Sequence, residues 1–178
     1  SGRTNLKNLG RIESLAGSIR LSHNALYCAF YMNELLCRAL PEAEPIEELF
    51  LQYEASLQAM AQSDQSDLLA LEPKLREFEF AMLDALGYLP DFHYDANSGD
   101  AISAERSYSF DPTIGFTMCF ADIKMAIPGE VLIAVAEGDY KLPSQNLARQ
   151  AAKVICRQAL AQIIGNKPIK SRELFILK

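Results

Sequence analysis

From His23 to Leu40 the chain is apolar at almost every position, and that run constrains its fold more than any other feature. Leu26, Phe30, Cys37 and Leu40 fall on one side of a helix, with Ala29, Met32 and Leu36 beside them, which predicts a core helix wrapped by others. Pro41 stops this helix. Pro45 at a first-turn position, with Glu47 and Glu48 behind it, starts the next, because carboxylates favour the positive end of the helix dipole. Phe50, Tyr53, Leu57 and Met60 mark the buried stripe of that second helix. After the polar connection AQSDQSD, residues 61 to 67, Leu71, Leu75, Phe78, Met82 and Leu86 recur at three- and four-residue intervals, so a third helix ends at Gly87.

The stretch PDFHYDANSGD, residues 90 to 100, carries the Asp, Asn, Ser and Gly of an exposed loop. SYSFDPTIGFTMCF holds two short β-prone runs around Asp111, Pro112 and Gly115, which predicts a small hairpin over about 106–119. Another helix follows Pro128 and runs to about Glu137. The last long helix opens at Pro143 and Ser144, closes at Gly165, and packs through Leu147, Ala151, Val154, Ile155 and Ile163. The expected fold is mainly α: a helical bundle with a small β-hairpin inserted before the last helices. With 178 residues of which 49% are hydrophobic, one compact domain with a sizeable core is expected.

No window reaches the roughly 18 unbroken apolar residues of a membrane helix, and residues 1 to 20 are too polar for a signal peptide. A soluble, intracellular protein is expected. Cys28, Cys37, Cys119 and Cys156 form no CxxC pair, so buried thiols are expected rather than a zinc knuckle or redox dithiol.

The net charge of -6 conceals a polarity along the chain. Residues 21 to 140 set Arg38, Lys74, Arg76, Arg106 and Lys124 against 21 carboxylates, whereas residues 141 to 178 set eight cations against Glu173 alone. A local positive surface able to attract an anionic partner follows, with an effect that salt weakens. On the last helix Arg149, Lys153 and Arg157 recur every fourth residue, which stacks them on one face with no interleaved acid. A solvated face and an anion-binding face both satisfy that pattern.

Catalytic chemistry is not written in the sequence. His23 at a helix start and His93 in a loop have no nearby Cys, Ser or Asp in a recognisable pattern, and no GxSxG, HExxH, Walker loop or GxGxxG occurs. Glu42, Glu44, Glu47 and Glu48 cluster at a helix start, where they serve the dipole and solubility. A binding protein without cofactor or metal is expected rather than an enzyme.

Three stretches carry a resemblance: AFYMNELLCRALPEAEPIEELFLQY at 29–53, KLREFEFAMLDALGYLPDF at 74–92, and NKPIKSRELF at 166–175. In order and spacing they resemble the bacterial RecO recombination-mediator family, in particular its helical region after an N-terminal OB domain. The resemblance implies a non-enzymatic DNA-repair factor of the RecF pathway, cytoplasmic and nucleoid-associated. Such proteins join RecR, bind single- and double-stranded DNA, anneal complementary strands, help load RecA, and bind the acidic C-terminal tail of the single-strand binding protein SSB. The paired zinc cysteines that some members carry after Leu-Gly-Tyr are replaced here by His93, Tyr94 and Ser98, so no structural zinc is expected. Residues 1–18 are expected to be a remnant final strand of the OB domain, followed by the helical domain over 19–178.

For the SSB tail, the resemblance and the basic row together nominate Arg76, Arg149, Lys153 and Arg157 as receivers of its carboxylates. A pocket of Phe50, Tyr53, Leu57 and Leu75 is nominated for its terminal phenylalanine. Lys167, Lys170 and Arg172 are the candidates for DNA phosphates, since spaced cations in a Pro-containing segment can follow a backbone without reading bases. Two other readings stay open: the terminal segment docks through Ile169, Leu174 and Phe175 with its charges merely solvated, or the domain is a scaffold that holds RecR or the OB domain without touching SSB or DNA.

Overall fold

A computed structural model describes residues 10–11, 13, 17–42, 45–123, 125–141, 146–165 and 167–176. Five α-helices and three strands lie among them: α1 His23–Ala39, α2 Glu47–Ala61, α3 Leu68–Ala85, β1 Ser107–Asp111, β2 Gly115–Cys119, β3 Ile127–Pro128, α4 Gly129–Glu137 and α5 Asn146–Ile164. A short 3-10 helix, Lys170–Phe175, follows. The fold is therefore mainly α with a small sheet inserted before the last helices. The strand expected within residues 1–18 falls largely on residues 1–9, 12 and 14–16, outside the described residues, as does the Pro143-Ser144 opening of α5.

Each helix begins or ends for a local reason. Asp67 caps α3 by accepting a hydrogen bond from the Leu69 backbone N–H at 2.8 Å, and Gly138, at φ +76°, closes α4 in the left-handed conformation that glycine adopts without penalty. Pro45 lies just ahead of α2 rather than in its first turn, where Ile46 is the N-cap. The periodic stripe of α3 is buried as its spacing dictates, with Leu71, Phe78 and Met82 fully shielded.

The stripes of α1, α2 and α5 differ from expectation. The buried side of α1 consists of Ala25, Cys28, Ala29, Tyr31, Met32 and Leu35, while Phe30 is 47% exposed and Cys37 is exposed. A run that is apolar nearly all round carries little phase information, and α1 is covered on one face rather than wrapped. In α2 the buried residues are Leu49, Ser56 and Met60, and Phe50 is exposed. In α5 Leu147 is exposed, and the small residues Ala148, Ala152 and Ala159 with Ile155, Cys156 and Leu160 form the contact. The expectation of four buried thiols holds for Cys28 and Cys156; Cys37 is exposed and Cys119 half-buried, because each falls on an outer face of its element.

Two apolar cores result among the described residues. The first unites α1, α2 and α3 with Ala159, Leu160 and Ile169; the second gathers Phe92, Tyr108 and Phe116 with α4 and the first half of α5. Phe80 and Phe110 pack against both. Edge-on and tilted contacts of Phe80 with Phe92 (5.5 Å) and of Phe116 with Phe92 (5.1 Å) and Phe110 (4.9 Å) carry the second core toward the first. α5 runs through both cores and holds them in register.

The sheet has the order β2-β1-β3, both pairings antiparallel, with Tyr108 opposite Met118 and Phe110 opposite Phe116. The 90–100 loop is mostly exposed but has a buried anchor. Asp95 accepts hydrogen bonds from the backbone N–H groups of Asn97, Ser98 and Met118, which ties the loop to β2. Gly129 is required by contact rather than by torsion: a Cβ there would sit 1.9 Å from the Ser103 carbonyl oxygen.

The terminal segment is docked by α1. Arg38 donates to the carbonyl oxygens of Ile164 (3.0 Å), Lys167 (2.8 Å) and Pro168 (3.2 Å). One turn away, Glu34 accepts from the backbone N–H of Lys170 (3.0 Å) and Ser171 (2.8 Å) and from the Ser171 hydroxyl (2.8 Å). Ile169 is buried, and Phe175 meets Tyr27 edge-on at 5.7 Å. Burial works to raise the Glu34 carboxyl, but the hydrogen bonds from Ser171 and Lys170, with that from Arg38, outweigh it and hold the group below its ordinary value. Its contribution is thus full above pH 4.5, the ordinary value, and is lost as pH falls through the lower folded value. Glu34→Ala is expected to cost about 1–3 kcal/mol of local stability. Amide exchange over 169–175 at neutral pH should show that loss in the variant, and the wild type should approach it only in acid.

Candidate functional site

The functional candidates converge on a pocket of about 500 Å³ between α1, α3, α5 and the terminal 3-10 helix. From α3 come Leu68, Glu72, Leu75 and Arg76, whose spacing sets them on one helix face; from α5 come Lys153 and Arg157, one turn apart. Tyr31 and Cys28 of α1, with Arg172, Phe175 and Ile176 of the terminal segment, complete the lining. Four cations thus surround a largely apolar surface.

The base of the pocket is a buried polar network. Arg76 is 7% exposed and forms an ion pair with Glu79, which is fully buried. Tyr31 Oη donates to Glu79 Oε1 at 2.6 Å, and Arg172 donates to Tyr31 Oη at 3.1 Å while its guanidinium lies 5.3 Å from the Tyr31 ring centroid. Burial opposes the charge on Arg76, yet the Glu79 carboxylate prevails and the guanidinium is held protonated more firmly than usual. Burial, reinforced by Glu79, raises Tyr31, so its phenol stays neutral and remains a donor. The Cys28 thiol is pushed up to about 12 by burial, and Cys156, beside Glu79 and Arg76, also lies well above the ordinary thiol. Neither cysteine is a nucleophile at neutral pH. The Arg76 Nε has no hydrogen-bond partner among the described residues.

A second pair connects α3 to α5. Glu72 Oε2 accepts from Arg149 Nη2 at 2.6 Å, and Glu72 Oε1 lies 3.5 Å from Lys153 Nζ. The acid missing from the basic row of α5 is therefore supplied by the neighbouring helix, which corrects the view of that row as unpaired. Arg149 is 6% exposed and sits behind the pocket rather than on its surface. Arg157 is exposed and has no carboxylate partner among the described residues.

The structure thus brings Arg76, Lys153, Arg157, Leu75 and Arg172 together, and it does not bring the remaining nominees with them. Phe50 and Tyr53 line a separate groove between α1 and α2 with Leu36, Leu40 and Leu49. Tyr53 donates from its hydroxyl to Asn33, and Leu57 packs, half-buried, on the helical core. The expected aromatic pocket is therefore divided: Leu75 belongs to the basic pocket and Phe50 and Tyr53 do not. Lys167 and Lys170 are exposed outside the pocket, whereas Arg172 turns inward onto Tyr31. Sequence reasoning missed Tyr31, Glu72 and Glu79, and gave Phe175 to the docking of the terminal segment rather than to the pocket. The spacing of Glu72, Arg76 and Glu79, four and then three residues apart, was the signal for the acids. Nothing local indicated Tyr31.

Among the described residues no group of three or more His, Cys, Asp and Glu side chains is arranged to hold a metal ion, and no helix is long and apolar enough to cross a membrane. Fold and pocket define a mainly helical domain with cations around an apolar recess. Residues 20–173 match the family model described as Recombination protein O C terminal. A DNA repair protein RecO from Alteromonas mediterranea is 41% identical over 180 residues, spanning 100% of this chain and 73% of that protein. Those of Pseudoalteromonas atlantica and Cellvibrio japonicus are each 40% identical over 98% of this chain, covering 70% and 71% of their own lengths. The chain belongs to the RecO family of DNA repair proteins.

Burial separates two of its arginines experimentally. Arg76→Ala would leave Glu79 charged and unpaired in the interior, so it is expected to destabilise the domain by about 3–5 kcal/mol, whereas Arg157→Ala should change stability by less than about 0.5 kcal/mol. Chemical denaturation of both variants checks this, and equal midpoints would contradict the assignment. Arg76 cannot then serve as a simple surface probe of binding.

Proposed function

We propose that this chain is the partner-recognising part of a non-enzymatic recombination mediator, and that the α1–α3–α5 pocket receives the acidic C-terminal tail of the single-strand binding protein. The single observation that carries the reading is the juxtaposition of exposed Arg157 and half-buried Arg172 with the apolar surface of Leu68, Leu75 and Phe175. An acidic peptide ending in a large apolar residue needs both parts: cations for its carboxylates and an apolar recess for its last side chain. Arg76, held by Glu79, is a fixed positive charge at the back of the recess; Lys153 and Arg157 stand at its mouth. Arg149 acts through Glu72, and Phe50, Tyr53 and Leu57 take no direct part in this pocket.

In this reading Lys167 and Lys170 face DNA phosphates from the outer side of the docked terminal segment, and Arg172 belongs to the tail pocket. RecR binding, strand annealing and RecA loading in the bacterial cytoplasm complete the role that the family resemblance implies, with residues 1–18 as the end of an OB domain. The scaffold alternative draws on the second groove, whose apolar walls at Leu36, Leu40 and exposed Phe50 suit a docking subunit rather than a charged tail.

Titration of a fluorescent peptide copying the tail against this chain separates the two. Saturable binding that weakens about fivefold or more in Arg157→Ala, with unchanged melting, and in Arg172→Ala, compared in protein shown to be folded because Arg172 also holds Tyr31, is expected for the tail pocket. Binding that is absent, or present but indifferent to both substitutions, would remove it. In parallel, Lys167→Ala combined with Lys170→Ala should weaken DNA about equally for all sequences and flatten its salt dependence while leaving peptide affinity in place.

A further inference from the structure

The pocket contains its own anion. Glu72 projects from α3 between two cations of α5, with Arg149 at 2.6 Å and Lys153 at 3.5 Å, and its side chain is 24% exposed. These contacts are unequal. Arg149 is only 7% exposed along its side chain, and its charge-assisted hydrogen bond to Glu72 is short; Lys153 is 55% exposed and lies beyond hydrogen-bond range. A short buried pair is worth far more to keep than a long exposed one, whose typical contribution is near zero. Arg149 therefore holds Glu72 in place, where its second oxygen answers part of the Lys153 charge.

We infer that Glu72 is an internal competitor for the ligand, a fixed carboxylate that occupies part of the basic rim and sets how much negative charge the pocket accepts. This rests on the reading of the pocket as a receptor for an acidic C-terminal peptide. Of the four lining cations, Arg76 is committed to Glu79 and Lys153 is shared with Glu72, which leaves Arg157 and Arg172 as the two whose charge is not already answered by a carboxylate among the described residues. A peptide that brings a few carboxylates and an apolar end can use those two and the recess. A dense polyanion, which needs many cations and has no apolar end, meets Glu72 and gains less. Glu72 thus acts as a specificity element, keeping a strongly basic region of an acidic protein from serving as a general polyanion site.

The consequence is opposite in sign to the usual effect of altering a pocket residue. Glu72→Gln keeps a carbonyl oxygen to accept from Arg149 but removes the charge, so an acidic peptide ending in phenylalanine should bind about threefold to fivefold more tightly, and the salt dependence should steepen. Adding Lys153→Ala to Glu72→Gln should abolish the gain, whereas Lys153→Ala alone should change affinity little. A short single-stranded DNA competitor should displace the peptide more effectively from Glu72→Gln than from the wild type. If Glu72→Gln impairs folding because Arg149 loses its charged partner, Glu72→Gln with Arg149→Met removes both charges together and should show the same tightening. Wild-type binding with unchanged or weaker affinity in a folded Glu72→Gln or double variant would overturn the role of Glu72 while leaving the tail pocket standing. Failure of the wild type to bind the peptide would instead overturn the pocket assignment, and this inference with it.

Discussion

The ion pair of Arg76 and Glu79 is the interaction on which the rest depends. Two charges removed from water are costly, and they are tolerated only where geometry and further hydrogen bonds compensate. Here compensation comes from three directions: Tyr31 of α1 donates to Glu79, Arg172 of the terminal segment donates to Tyr31, and Cys156 of α5 lies against both charges. Four segments distant in the chain must therefore assemble together, and the recess above Arg76 exists because they do.

That dependence explains why the terminal residues are part of the fold rather than an appendage. Arg38 and Glu34 fix backbone groups of Ile164, Lys167, Pro168, Lys170 and Ser171, which carries Arg172 to Tyr31 and Phe175 to Tyr27. Docking through Ile169 and Phe175 and exposure of Lys167 and Lys170 are compatible, since one side of the segment faces α1 and the other faces water. The cations near the end of this acidic chain thus fall in two settings within a few residues, Arg172 turned onto Tyr31 and Lys167 and Lys170 in water.

Much of this architecture is legible in the order of the residues. The helices, the hairpin and the buried stripe of α3 follow from turn residues and from apolar spacing, because both act within a few residues of the chain. The face of α1 is not legible, since an almost uniformly apolar run leaves Phe30 and Cys37 as plausible inside as Tyr31 and Cys28. The candidate site is partly legible: Arg76, Lys153, Arg157 and Arg172 are identifiable as cations in unusual settings. Their grouping, and the separation of Leu75 from Phe50 and Tyr53, depend on how α2 and α3 pack, which no local pattern records.

The sequence by itself determined the order and kind of the elements, the polarity of charge along the chain and the family to which it belongs, because each is a property of neighbouring residues or of their order. Tertiary structure decided which charges are available. It buried Arg76 and Arg149 against Glu79 and Glu72, left Arg157 in solvent, and turned Arg172 inward. Electrostatic strength depends on distance and on exclusion of water, both of which arise only when residues far apart in the chain are brought into contact.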